Sequence, residues 1–149
     1  MPKALIAYTT RKNATKSIAE LIGEGLRFGG IEATVMTLAD IEKAKVNLED
    51  FDAIVLGAPT YHGEMHSGMK TFLFMAEKAN LEGKVGAAFG AYGWSGEAAG
   101  RIFDTMKNIF KMDMVSGPLM LKSAFMGGGT QMAQGYGKEI ARKLGASVV

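Results

Sequence analysis

The stretch Ala53-Ile54-Val55-Leu56-Gly57 runs directly into Ala58-Pro59-Thr60-Tyr61-His62-Gly63, and its reading decides the fold. Five small or branched apolar residues without a polar interruption describe a strand buried on both faces, as parallel sheets require. A second such pair follows: Val85-Gly86-Ala87-Ala88-Phe89, then Gly90-Ala91-Tyr92-Gly93-Trp94-Ser95-Gly96. In open parallel sheets the strand ends of one polarity meet at a crevice where loops diverge and ligands bind. Aromatic residues and glycines in both loops point to a flat aromatic ligand, held against rings with backbone close by.

Working outward, strand candidates at residues 4–8, 34–38, 53–57, 85–89 and 119–122 alternate with amphipathic helices. Ile18, Leu21, Ile22, Gly25 and Leu26 mark one helical face, and Met69, Phe72, Leu73 and Ala76 a second. Ile102, Phe103, Met106, Ile109 and Phe110 mark a third, and Met132, Ala133, Tyr136, Ile140 and Leu144 a fourth. All follow a 3.6-residue period. Gly29-Gly30 ends the first helix, Asn80 and Gly83 punctuate the second, and Thr130 is read as the N-cap of the last. Strands alternating with helices predict right-handed crossovers and a parallel sheet covered on both faces. The eleven methionines are read as core filling, with Met65 and Met126 as loop exceptions.

Residues 1–149 read as a single domain, long enough to bury roughly 68–70% of its unfolded surface. The chain has no cysteine, which excludes disulfides, thiolate catalysis, iron–sulfur ligation and Cys-based zinc sites. No apolar run approaches a membrane span, and Met1-Pro2-Lys3 moves straight into a strand, so neither a span nor a leader is expected. The cytoplasm is the expected compartment. Seventeen basic against fifteen acidic residues give +2, with the basic residues scattered, which does not describe a nucleic-acid binder. His62 and His66 flank Glu64, but with no third histidine or cysteine they do not make a metal site.

Between the first strand and first helix lies Thr9-Thr10-Arg11-Lys12-Asn13-Ala14-Thr15. Three hydroxyls, an amide side chain and the free N–H groups of a helix start can cradle a phosphate, with Arg11, Lys12 and Lys16 adding positive charge. The same residue types also make plain helix caps, and the loop alone leaves both readings open. It is neither a Walker loop nor a Gly-x-Gly-x-x-Gly turn.

Taken together, the three loops resemble those of the flavodoxin family over residues 3–144. The loop at 9–15 is similar to the family's Ser/Thr-x-Thr-Gly-Asn-Thr phosphate loop, with Asn13 where glycine stands. It is closer still to the Thr-Arg-x-Gly-x-Thr form of flavodoxin-like protoporphyrinogen oxidases. Pro59, Thr60 and Gly63 with Met69-Lys70-Thr71-Phe72-Leu73 resemble a pattern of flavodoxin-like quinone reductases. Phe89-Gly90-Ala91-Tyr92-Gly93-Trp94 is similar to a segment of short-chain flavodoxins. With Ser95-Gly96-Glu97-Ala98 added, it resembles the flavodoxin domains of flavodiiron proteins.

The resemblance implies a three-layer α/β/α sandwich with five parallel strands in the order 2-1-3-4-5, and FMN at the strand ends. Thr9, Thr10, Arg11, Lys12, Asn13, Ala14 and Thr15 would hold the phosphate. Pro59, Thr60, Tyr61, His62 and Gly63 would border the flavin ring, with the His62–Gly63 peptide near N5. Ala91, Tyr92 and Gly93 would meet the pyrimidine edge, Trp94 would stack on the ring and Gly96 would complete the loop. The implied function is a low-potential electron carrier between redox proteins, a monomer or weak homo-oligomer without catalytic side chains. The alternatives are a small FMN oxidoreductase acting on a quinone or protoporphyrinogen, and a flavin-free interaction domain keeping only the fold. A slightly basic chain suits an acidic redox partner.

Overall fold

The structure is a computed structural model that describes residues 2–9, 14–58, 60–61, 64–65, 67–91, 97–121 and 128–145. Strands β1 (Lys3–Tyr8), β2 (Glu32–Thr37), β3 (Ala53–Gly57), β6 (Val85–Ala91), β7 (Asp113–Met114) and β8 (Leu119–Leu121) form one sheet. The order is β2-β1-β3-β6, with β7 and β8 both pairing β6. Every pairing in it is parallel. This is the 2-1-3-4-5 arrangement, its fifth strand split into two short pieces. Helices α1 (Ala14–Phe28), α2 (Leu38–Ala44), α3 (Ser67–Ala76), α4 (Glu97–Asn108) and α5 (Gly129–Lys143) supply the outer layers.

Alternation along the strands divides the core in two, because successive side chains face opposite sides. Ala4, Ile6 and Tyr8 of β1 pack with Val55, Ala87 and Phe89 against Ile18, Ile22 and Leu26 of α1 and Ala133, Tyr136 and Ile140 of α5. Leu5 and Ala7 join Ile54, Leu56 and Ala88 against Ile41 of α2, Met69 and Leu73 of α3, and Ile102 and Met106 of α4. The continuous apolar runs read from the sequence are therefore strands covered on both faces.

Several expectations need correction. Helix α2 is absent from the periodic reading because it is only seven residues long and buries a single residue, Ile41. Its start is set by Thr37, whose hydroxyl accepts the Asp40 N–H at 3.1 Å. Gly128, at φ 76°, is the N-cap of α5, and Thr130 lies within the helix. Ile109 and Met132 sit at 55% and 50% exposure, at the edges of their apolar stripes rather than in the core. Met75 and Met120 are also exposed, so the methionines do not uniformly fill the interior. The expected strand at 119–122 is preceded by β7, which two residues of pairing are too short to announce.

Helices α1 and α5 approach until backbones touch. A Cβ on Gly137 would lie 2.2 Å from Ile22 O, and one on Gly25 would lie 2.0 Å from Gln134 O. Gly135, two residues away on α5, has open space where its Cβ would be. Gly137→Ala should therefore destabilise the fold by about 1–3 kcal/mol through overpacking. Gly135→Ala should stabilise it by up to about 1 kcal/mol through helix propensity. Urea unfolding of the two variants beside the parent measures both signs.

Candidate functional site

Parallel strands bring their carboxyl ends to one edge of the sheet. At that edge the ladder continues one residue beyond the strands: Thr9 N–H donates to Gly57 O at 3.1 Å, and Ala58 N–H to Phe89 O at 3.3 Å. The ends of β1, β3 and β6 are thus stitched together before the chain departs into the three segments singled out by the sequence. The Phe89 ring, near the carboxyl end of β6, is fully buried in the core. Its atoms come within 2.1–2.5 Å of where a Cβ on Gly57 would stand, so glycine there makes room for the ring.

The first loop re-enters regular structure at α1. Thr15, in the first helical turn, is fully buried, yet its Oγ1 has no hydrogen-bond partner among the described residues. An unmatched buried hydroxyl costs about 1–3 kcal/mol, so a native fold keeps one chiefly where something else completes it. It sits among the unpaired N–H groups of a helix start, where the backbone dipole favours an anion. No acidic residue occupies the first turn of α1, and Lys16 beside Thr15 is exposed. Tyr8, at the end of β1, has its phenol pKa raised, first by burial and then by the negative charges of Glu20 and Asp40. It is a neutral hydroxyl at ordinary pH.

The second loop folds back on itself as a short antiparallel hairpin, β4 (Thr60–Tyr61) with β5 (Glu64–Met65), pairing Thr60 with Met65 and Tyr61 with Glu64. A hairpin was not expected there, because two-residue strands leave no periodic trace. The third loop leaves from Ala91, the last residue of β6, and ends at Glu97, the first of α4.

Of the expected site residues, Thr9, Ala14, Thr15, Thr60, Tyr61 and Ala91 are placed, all on elements ending or beginning at this edge. Thr10, Arg11, Lys12, Asn13, Pro59, His62, Gly63, Tyr92, Gly93, Trp94 and Gly96 lie outside the described residues. So does His66, and among the described residues no group of three or more His, Asp or Glu side chains is placed to hold a metal ion.

One residue near the site was legible only as core. Tyr136 of α5 sends its hydroxyl into a break in the sheet, accepting the Ala88 N–H at 3.2 Å and donating to Gly117 O at 2.7 Å. Ala88 O, at 3.0 Å, is an alternative acceptor. Burial is the largest cause raising this phenol's pKa. Helical periodicity places Tyr136 on the inner face but says nothing about where its hydroxyl goes.

A doubly wound parallel sheet with an anion-favouring helix start at its carboxyl edge defines a mononucleotide-binding α/β protein. The model of the flavodoxin domain family matches residues 5–131. A flavodoxin of Clostridium saccharobutylicum is 32% identical over 135 residues, covering 90% of this chain and 81% of that protein. A solved archaeal flavodoxin superposes with a TM-score of 0.87 at 30% identity, covering 96% of this chain and 99% of its own. The type A flavoprotein FprA of Rhodobacter capsulatus is 30% identical over 145 residues, 94% of this chain but 33% of its own length. The chain likewise spans about a third or less of several other curated relatives. This chain belongs to the flavodoxin family, whose cofactor is FMN.

The orphaned Thr15 hydroxyl and the acid-free helix start fit the phosphate of that cofactor. Thr15→Val keeps the side-chain shape and removes the unmatched group. The flavin-free protein should then be more stable by about 1 kcal/mol. FMN affinity should fall roughly tenfold, the equivalent of one charge-assisted hydrogen bond, while riboflavin affinity stays unchanged. Thermal melts and paired flavin titrations measure the three quantities.

Proposed function

We propose that this chain carries FMN and passes electrons between redox proteins, as a flavodoxin-type carrier. The Thr15 hydroxyl, buried at the carboxyl edge of the sheet with no partner among the described residues, is the observation that carries the reading. Thr9, Thr10, Asn13 and Thr15, with the amides opening α1, would hold the phosphate, and Arg11, Lys12 and Lys16 would add positive charge. Pro59 to Gly63 and Ala91 to Trp94, with Gly96, would border the flavin, Trp94 covering one face of the ring. Bound FMN supplies the electron chemistry, so the protein's part is to bind, orient and partly desolvate it.

No side chain need act as general acid or base on this reading. The alignment over 81% of a protein named flavodoxin supports a carrier over an enzyme acting on a quinone or protoporphyrinogen. The reading takes residues 1–149 as one FMN-binding domain, a monomer or weak homo-oligomer in the cytoplasm. No helix among the described residues is long and apolar enough to cross a membrane. A formal charge of +2 supports an acidic donor or acceptor, steered by the field of the slightly basic chain.

Reconstitution tests this. One equivalent of FMN should bind and strongly quench Trp94, the sole tryptophan. Trp94→Ala should weaken FMN and riboflavin equally, by about 1–3 kcal/mol for a lost aromatic stack. A protein that retains no flavin, or prefers FAD to FMN, would overturn the assignment.

A further inference from the structure

The parallel ladder between β6 and the fifth strand position is interrupted in the middle of the sheet. Val85 and Gly86 pair with Asp113 and Met114, and pairing resumes only at Phe89 with Leu119. The outer strand, whose Val115 N–H still donates to Gly86 O at 3.1 Å, thus carries two residues more than β6 over the same rise and arches away across residues 116–118. The N–H of Ala88, fully buried, has no strand partner on that side. Tyr136 replaces the missing strand: one hydroxyl, itself largely buried, meets Ala88 N, Ala88 O and Gly117 O within 3.2 Å. One helical turn on, the Glu139 carboxylate accepts the Ser116 N–H at 2.9 Å and the Ser116 hydroxyl at 2.9 Å. Helix α5 grips both the arch and the strand it departs from.

Apolar patterning does not select this register. A two-residue slip that closes the arch keeps every side chain on its own face, because the strand period is two. Such a slip would shift Leu119–Leu121 along β6 by about 6.6 Å. Leu121, the last residue of β8, would move with it. In the arched register the Tyr136 hydroxyl accepts the Ala88 N–H and donates its one proton to Gly117 O, which ties the arch to β6.

We propose that Tyr136 is a positioning residue for the flavin site: by bridging Ala88 and Gly117 it fixes the outgoing ends of β6 at Ala91 and of β8 at Leu121, at the carboxyl edge of the sheet where the candidate site lies. The role rests on the flavin-carrier reading above, and it acts through backbone rather than by touching the cofactor.

Tyr136→Phe removes only the hydroxyl. In the flavin-free protein, amide exchange at Ala88 should accelerate more than in the remainder of β6, and Trp94 emission should shift. In the reconstituted protein, FMN and riboflavin should both bind on the order of tenfold more weakly, with an altered visible circular dichroism of the bound flavin. Ile140→Val, a core truncation in the same helix with a similar stability loss, should leave both flavin affinities unchanged. Glu139→Gln, which loosens only the outer grip on Ser116, should give a smaller change of the same sign as Tyr136→Phe. Unchanged flavin affinities in both Tyr136→Phe and Glu139→Gln would overturn the proposal, as would an equal loss in Ile140→Val. If the parent chain binds no flavin, the carrier reading falls separately. The Ala88 exchange and Trp94 emission of the flavin-free protein then still decide whether Tyr136 holds these strand ends, and no change in either overturns it.

Discussion

A sheet covered on both faces leaves its backbone no access to water, so each buried N–H and C=O must find a partner within the protein. That constraint governs this molecule. The strands β2, β1, β3 and β6 meet it with uninterrupted parallel ladders. At the carboxyl edge, the bonds from Thr9 to Gly57 and from Ala58 to Phe89 carry the ladder one step further. The one interior interruption, at Ala88, is closed by the Tyr136 hydroxyl. Without it a buried amide would stand unpaired beside the candidate site, at a cost of about 1–3 kcal/mol.

The remaining packing follows from bringing α5 close enough to reach that break. Gly25 and Gly137 let α1 and α5 touch backbone to backbone, and Gln134 Nε2 donates to Glu24 across the same crossing at 2.9 Å. The close approach seats Tyr136 deep against β6 while α1 covers β1 with Ile18, Ile22 and Leu26. On the opposite face α2 contributes the single buried residue Ile41, and α3 and α4 supply Met69, Leu73, Ile102 and Met106. Helix α1, which starts at the carboxyl edge, and helix α5, which plugs the sheet, are thus mutually locked.

The site itself is built from chain ends rather than from a cavity in the core. The start of α1 forms its anion-favouring side, and its remaining segments leave from Ala58 and Ala91. At the start of α1, Thr15 Oγ1 is buried without a hydrogen-bond partner among the described residues.

Much of this was legible in the chain. Runs such as Ala53–Gly57 and Val85–Phe89 specify strands buried on both sides, because a polar residue in either face would lack a partner. The stripe Ile18, Ile22, Leu26 specifies a covering helix, and the Thr- and Asn-rich junction after Tyr8 locates an anion-favouring helix start. These are local properties, set by side-chain period and by which backbone groups a helix start leaves free. Tertiary structure decided what depends on residues distant in sequence. Helix α2 forms because Thr37 caps it and Ile41 finds a core, although seven residues display no stripe. Thr130 yields the cap of α5 to Gly128, whose positive φ sets how the chain enters the helix. The fifth strand arches because a tyrosine hydroxyl 48 positions from Ala88 supplies the bonds a strand would have made. Periodicity reports which face a side chain occupies, but a hydrogen bond between such distant residues exists only once the fold has brought them together.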